Sequence, residues 1–128
     1  LINILDGVLV YINSTGYELM RCTKLVSVLS GKSVRGSKAR HIIVVTHHLP
    51  TFQVVALIIK FVLNSAFASE YGNLICDNRI DAWIYGHSHT NIDSEIGGTK
   101  LLSNQMGYIF QNEHLENGFD SGKYIEIG

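Results

Sequence analysis

A short apolar strand that runs into two histidines is the feature that most constrains the fold. Residues Ala82 to Tyr85 form a continuous apolar run, which is typical of a strand buried on both faces of a sheet. Gly86 then permits a turn where a side chain would clash, and His87 and His89 follow two positions apart. On extended backbone, side chains at this spacing project to the same side, about 6.6 Å apart. The pattern therefore predicts extended chain from which both imidazoles converge on one or two metal ions.

A second strand also ends in histidines. The run from His41 to Thr46 is rich in β-branched residues and predicts a core strand that is buried on both faces. His47 and His48 follow it, and Pro50 prevents the strand from continuing. His41 begins this strand, so we expect it to lie at the opposite edge of the sheet and to be structural.

The segment between these two strands predicts a crossover connection. From Thr51 to Ile75, apolar residues recur at spacings of three and four, as in an amphipathic helix. A strand–helix–strand unit places its two strands parallel and side by side or nearly so. We therefore expect His47, His87 and His89 along the carboxyl edge of the sheet, where α/β proteins form ligand sites. Neutral imidazole is a common ligand for zinc, manganese and iron.

The remaining pattern predicts further elements around this pair of strands. Their signals are Asp-Gly and Gly-Gly turns, helical spacing of apolar residues, and alternation. The predicted elements are a hairpin over 2–5 and 8–12, a helix from Tyr17 to Leu29, a hairpin of 91–96 and 99–104 around Gly97-Gly98, and a last strand from Lys123 to Ile127.

Composition indicates one globular domain and excludes several classes of function. The 128 residues are 46% hydrophobic, which excludes general disorder, and the net charge of −1 gives no signal for nucleic acid or membrane binding. No signal peptide is visible, so we expect a cytoplasmic location. Cys22 and Cys76 do not make a disulfide framework, and we expect both to be buried free thiols.

Three elements together resemble the C-terminal half of the calcineurin-like metallophosphoesterases. These are Thr46 to Pro50, Gly86 to His89, and Asn104 to Tyr108. In that family one strand ends in His-His-x-Pro, a second ends in Gly-His-x-His, and a hairpin leads to an Asn-x-x-Gly-Tyr turn. The resemblance covers about residues 39–127. It implies an α/β fold that is part of an α/β/β/α sandwich, so residues 1–128 would form a single, incomplete domain.

The resemblance also implies a site and an activity. By the family pattern, His47 and His87 bind the second metal ion and His89 binds the first. His48 would be a catalytic residue beside them that contacts the phosphate or orients neighbouring groups. Two divalent ions, manganese, iron or zinc, about 3.5–4 Å apart would clamp the phosphoryl group. The implied function is hydrolysis of a phosphate monoester or diester.

Several parts of the family pattern are absent from the sequence. The first half of the family supplies Asp-x-His, Gly-Asp and Gly-Asn-His-Asp/Glu, and none of these is present. Gln105 and Met106 stand where Pro-Arg is common in the family members nearest to this pattern. Because the chain begins at Leu1, we expect an N-terminal half or a second chain to supply the missing ligands. The isolated chain should then be inactive, and an exposed apolar sheet face should make it self-associate.

Two other functions remain open from the sequence alone. The histidines could hold metal without turnover, in a non-catalytic remnant or an interaction module. Alternatively, Ser88 could be the nucleophile of a serine hydrolase, with Asp93 or Asp120 and His114 as partners. Two features disfavour the hydrolase: Thr90 replaces the glycine of a nucleophile elbow, and a hairpin follows in place of a helix. We expect His114, in a polar loop, to be exposed.

Overall fold

A computed structural model of the chain describes residues 2–5, 8–13, 38–54, 70–76 and 79–127. Its elements within these ranges are β1 (Ile2–Leu5), β2 (Val8–Asn13), β3 (His41–Thr46), α1 (Gly72–Cys76), β4 (Ala82–Tyr85), β5 (Ser94–Ile96), β6 (Thr99–Ser103) and two 3₁₀ turns, Ile109–Gln111 and Glu113–Leu115. The strands form one mixed sheet in the order β1-β2-β3-β4-β6-β5. This architecture confirms the coarse prediction of an α/β fold. The predicted helix from Tyr17 to Leu29 lies outside the described residues.

The centre of the sheet is parallel. Strand β3 pairs with β2 on one side and with β4 on the other, and β4 also pairs with β6. The predicted adjacency of the two histidine-bearing strands is therefore confirmed. Of the predicted crossover helix, the structure describes its first residues, 52–54, and α1 near its end. Because parallel strands share a direction, the carboxyl ends of β3, β4 and β6 meet at one edge.

Two hairpins flank the parallel strands, as predicted. Strands β1 and β2 are antiparallel, with Leu5 opposite Val8, and β5 and β6 are antiparallel with Ile96 opposite Thr99. The second turn passes through Gly97 and Gly98, which have φ values of 57° and 86°. Glycine adopts this left-handed geometry without a steric penalty from Cβ.

The two faces of the sheet differ in burial. Val44, Trp83 and Leu101 lie side by side in the register and are each 0% exposed. Tyr71 stacks on Trp83 with ring centroids 5.5 Å apart, and Ile75 of α1 belongs to the same core. The chain around α1 therefore covers this face.

The opposite face, which we call the open face, is only half-buried. It carries the apolar side chains of Ile43, Val45, Ile84 and Leu102. A cavity of about 180 Å³ is lined by Ile84, Leu102 and Tyr124, among others. The prediction that β3 is buried on both faces is therefore wrong, because its residues alternate between buried and half-buried.

Two further predictions are corrected by the structure. Residues 123–127 form no strand, and β6 is paired with β4 on one side and with β5 on the other. Lys123 instead donates from its amine to the carbonyl oxygen of Ser103 and to the carboxylate of Asp93, each at 2.7 Å.

The cysteine prediction is also corrected. Cys76 is exposed, not buried, because α1 places Ile75, the residue before it, in the core. Cys22 lies outside the described residues.

No helix within the described ranges combines the length and the apolar character needed to cross a membrane.

Candidate functional site

Hydrogen bonds tie the ends of β3 and β4 to the core. The indole N–H of Trp83 donates to Thr46 Oγ1 at 2.9 Å, and the hydroxyl of Thr46 donates to the carbonyl oxygen of His48 at 2.7 Å. The backbone N–H of Gly86 donates to the carbonyl oxygen of His47 at 3.1 Å. A Cβ at Gly86 would lie 3.4 Å from that oxygen, an ordinary van der Waals contact, so the approach of the two turns would also accept a small side chain.

Three of the predicted residues form a compact histidine cluster: His47, His48 and His87. Their ring centroids are 4.7 to 5.2 Å apart. His47 Nε2 lies 2.9 Å from His87 Nδ1. His47 is exposed, whereas the other two rings are half-buried. The structure thus brings His47 and His87 together at the carboxyl edge of the sheet, with His48 beside them and solvent within reach.

The environment of the cluster favours neutral imidazoles at His48 and His87. Burial lowers the pKa of His48 below its ordinary value, and the neighbouring His47 lowers it further. The pKa of His87 is also lowered, first by burial and then by repulsion from His47, His48 and His89. A neutral ring keeps a nitrogen lone pair, which is the form that binds metal ions.

The contact between His47 and His87 has the length of a hydrogen bond. At 2.9 Å, a protonated nitrogen of one ring can donate to the unprotonated nitrogen of the other. The separation is also close to the roughly 3.0–3.4 Å between two nitrogens that each lie about 2.0–2.1 Å from one ion. Among the residues that the structure describes, however, no three His, Cys, Asp or Glu side chains converge as a complete metal site. Within the described residues the cluster is therefore not a complete metal site.

His87 and His89 do not lie on extended chain, and this prediction is wrong. Their φ values are 74° and 54°, in the left-handed region that residues other than glycine adopt infrequently. Tertiary hydrogen bonds hold this geometry: the N–H of His89 donates to Gln105 Oε1 at 2.9 Å, and Asn117 Nδ2 donates to the carbonyl oxygen of His89 at 3.0 Å. The backbone therefore turns between the two rings, and they have different neighbours.

His89 contacts a carboxylate that the sequence analysis did not identify. His89 Nδ1 lies 2.9 Å from Glu113 Oε2, and the backbone N–H of Tyr108 donates to the same oxygen at 2.7 Å. The Tyr108 ring meets the imidazole edge-on, with centroids 4.5 Å apart. Glu113 lies 24 positions from His89 in a polar stretch. No spacing signal in that stretch distinguishes it from its neighbours.

Gln105 organises the loop around Ser88. Its amide nitrogen donates to Ser88 Oγ at 3.0 Å and to the carbonyl oxygen of Thr90 at 3.2 Å. Asn91 Oδ1 accepts from the N–H of Gln105 at 2.6 Å, and Asn91 Nδ2 donates back to its carbonyl oxygen at 2.9 Å. Gln105 stands where proline is common in the family pattern. The hydrogen bonds that hold it in this loop include ones that a proline could not donate.

The arrangement does not assemble a serine-hydrolase triad. Ser88 Oγ donates to the carbonyl oxygen of Thr90. Asp93 pairs with Lys123, and Asp120 accepts from the N–H of Gly122. The hydrogen bonds found in the described residues thus connect Ser88 to neither a histidine nor an aspartate.

The two remaining histidines lie apart from the cluster. His41, at the opposite edge, has its Nδ1 3.3 Å from Asp81, which also accepts the N–H of Ile42 at 2.7 Å. This contact supports the structural role expected for His41. His114 is half-buried, not exposed as predicted, because the 3₁₀ turn that carries it folds back so that its Nδ1 is buried.

Comparison with known proteins finds similarity to a viral protein. No protein-family profile matches the chain. An uncharacterized protein of Acanthamoeba polyphaga mimivirus is 31% identical over 94 residues, which cover 67% of this chain. The chain is similar to part of that viral protein. The match spans 32% of the viral protein's length, and the name of the relative assigns no activity to it.

Proposed function

We propose that this chain contributes the histidine side of a metal-dependent phosphoesterase site, which hydrolyses a phosphate monoester or diester. The observation that carries the proposal is the 2.9 Å approach of His47 Nε2 to His87 Nδ1 at the carboxyl edge of the sheet. Both residues stand at positions that match the family pattern of calcineurin-like metallophosphoesterases. Their partial exposure leaves the nitrogens accessible to an ion and to a phosphate ester.

Each histidine has a distinct role in this proposal. His47 and His87 hold one divalent ion, and His89 holds the other, with manganese, iron or zinc as the metal. Bound metal ions polarise a phosphoryl oxygen and make a hydroxide available at neutral pH. His48 lies 4.8 Å from His87 between ring centroids, and as a neutral imidazole it can donate one hydrogen bond to a phosphate oxygen.

Carboxylate ligands are required from outside the described residues. Two nitrogens do not fill a coordination shell of four or more ligands. In the proposal, an N-terminal half or a second chain supplies the remaining ligands. The viral relative extends well beyond the region it shares with this chain, and a longer protein of that kind has room for them.

We expect the isolated chain to bind metal without hydrolysing a phosphate ester, and the complete gene product to do both. We expect the 128-residue chain to bind Mn²⁺ in a calorimetric titration but to release no nitrophenol from nitrophenyl phosphate or bis-nitrophenyl phosphate. The complete product, with any residues that precede Leu1, should hydrolyse one of these esters and lose that activity with EDTA. Binding without turnover in the complete product would favour the non-catalytic function. A complete absence of Mn²⁺ binding in both proteins would refute the phosphoesterase function and the non-catalytic metal-binding function alike.

The open face supports the view that the domain is incomplete. Val45, Ile84 and Leu102 lie side by side across three parallel strands, and all three are half-buried. Apolar side chains on the inner face of a sheet sandwich normally pack against a second sheet. We propose that the second sheet of the complete domain packs here and that, without it, a second copy of the chain does so.

Polar substitutions on the open face should weaken self-association. We expect the Ile84→Ser, Leu102→Ser double variant to raise the dissociation constant by about tenfold or more, because each lost apolar contact contributes on the order of 1 kcal/mol. Sedimentation equilibrium measures this change, and circular dichroism checks the fold. Phe110→Ser is the control, since Phe110 is 79% exposed but lies outside this face. A monomeric parent chain, or an equal effect of the control, would contradict the proposal.

A further inference from the structure

The contact between His89 and Glu113 constrains where the imidazole carries its proton. An ionised carboxylate only accepts hydrogen bonds, and Glu113 Oε2 lies 2.9 Å from His89 Nδ1. A proton on Nδ1 makes this contact a hydrogen bond. A proton on Nε2 alone would instead place the Nδ1 lone pair against a carboxylate oxygen. Of the two neutral tautomers, the geometry therefore favours the Nδ1–H form, which leaves Nε2 with a free lone pair.

The position of Glu113 is itself well defined by the surrounding turn. Its Oε2 also accepts the backbone N–H of Tyr108, and its carbonyl oxygen accepts the N–H of Asn117 at 2.9 Å. Gly107 has a φ of 69°, and a Cβ added there would collide with the carboxylate. The carboxylate thus packs against a backbone position without a side chain. The side chains of His89 and Glu113 are 35% and 27% exposed, so water competes only partly for their contact.

We propose that Glu113 is a positioning residue that holds His89 in the Nδ1–H form and presents Nε2 as its ligand nitrogen. A carboxylate behind a histidine fixes both the tautomer and the orientation of the ring, and it raises the basicity of the opposite nitrogen. The identity of what Nε2 binds, a divalent metal ion, rests on the proposed phosphoesterase function. The tautomer itself does not depend on that function.

Nitrogen-15 NMR of the metal-free chain tests the tautomer directly. At a pH where the ring is neutral, long-range correlations should show His89 protonated at Nδ1 and unprotonated at Nε2. Glu113→Ala should shift the ring toward the Nε2–H form, whereas Glu113→Gln should retain Nδ1–H because its amide oxygen still accepts. Glu116→Ala is the matched control, since it removes an exposed carboxylate from the same turn. A neutral ring that is protonated at Nε2 in the parent chain would overturn the proposal, as would an unchanged tautomer in Glu113→Ala.

A Zn²⁺ titration of the same substitutions in the complete gene product, where the proposal places the remaining ligands, separates this inference from the proposed function. We expect Glu113→Ala to weaken Zn²⁺ binding at the His89 site by about 10- to 100-fold, the loss typical when a residue that orients a metal ligand is removed. Glu113→Gln and Glu116→Ala should lose much less. If the complete parent protein binds no Zn²⁺, the phosphoesterase proposal fails while the NMR result still decides the role of Glu113. If the tautomer changes but the Zn²⁺ affinity does not, Glu113 does not act through His89 on a metal.

Discussion

Replacement of Trp83 by alanine is expected to lower the free energy of unfolding by about 3–5 kcal/mol, the usual cost of truncating a large buried aromatic residue. Trp83 is 0% exposed, and it stacks on Tyr71 with an interplanar angle of 19°. Its truncation would leave a cavity at the centre of the sheet. It would also remove the N–H that bonds to Thr46, and so loosen the link between the core and the histidine-bearing turn.

A phenylalanine at this position separates packing from hydrogen bonding. Trp83→Phe keeps an aromatic ring against Tyr71 but leaves Thr46 Oγ1 without its donor, so a smaller cost of roughly 1–3 kcal/mol is expected. Urea denaturation followed by circular dichroism measures both variants, since Trp83 is the single tryptophan of the chain and its fluorescence is lost. An alanine variant that costs no more than the phenylalanine variant would show that the indole does not fill the core.

Replacement of both His47 and His87 by alanine is expected to lower Mn²⁺ affinity by more than about 100-fold. Removal of a group that only orients a metal ligand costs about 10- to 100-fold, and this double variant removes the two nitrogens that approach within 2.9 Å. In a catalytically complete protein, hydrolysis should fall to a similar degree. Isothermal titration calorimetry measures the binding, and thermal denaturation confirms that the fold persists.

His41→Gln is the control for this double variant. It also removes an imidazole, but from the opposite edge of the same strand, where the ring contacts Asp81. Its Mn²⁺ affinity should equal that of the parent chain. Retention of full affinity in the double variant would exclude His47 and His87 as metal ligands, and an equal loss in the control would indicate a general loss of structure.

The adjacency of β3 and β4 followed from the sequence because two apolar strands flank a helical segment. Such a unit has few topologies open to it, and so the approach of His47 to His87 was predictable without coordinates. The hairpin around Gly97 and Gly98 was equally predictable, since a Gly-Gly turn is a local signal.

The contacts between distant segments were not predictable in this way. Glu113 contacts His89 from 24 positions away in the sequence. The residues next to either one carry no pattern that predicts this contact. The left-handed backbone of His89 arises in the same manner, because Gln105 and Asn117, which lie in other loops, form hydrogen bonds with the backbone of His89. A strand followed by histidines is locally compatible with extended chain. The hydrogen-bonding partners that turn the backbone here lie in distant loops and leave no local pattern in the sequence.

The sequence by itself determined the α/β pattern, the parallel pairing of the two histidine-bearing strands and the edge at which their histidines meet. These depend on periodicity and on turn residues, which act over short distances along the chain. The tertiary structure alone decided that His87 joins His47 and His48 while His89 joins Glu113, and that Val45, Ile84 and Leu102 remain half-buried. The physical reason is that these outcomes depend on which loops and faces pack together after the sheet has formed.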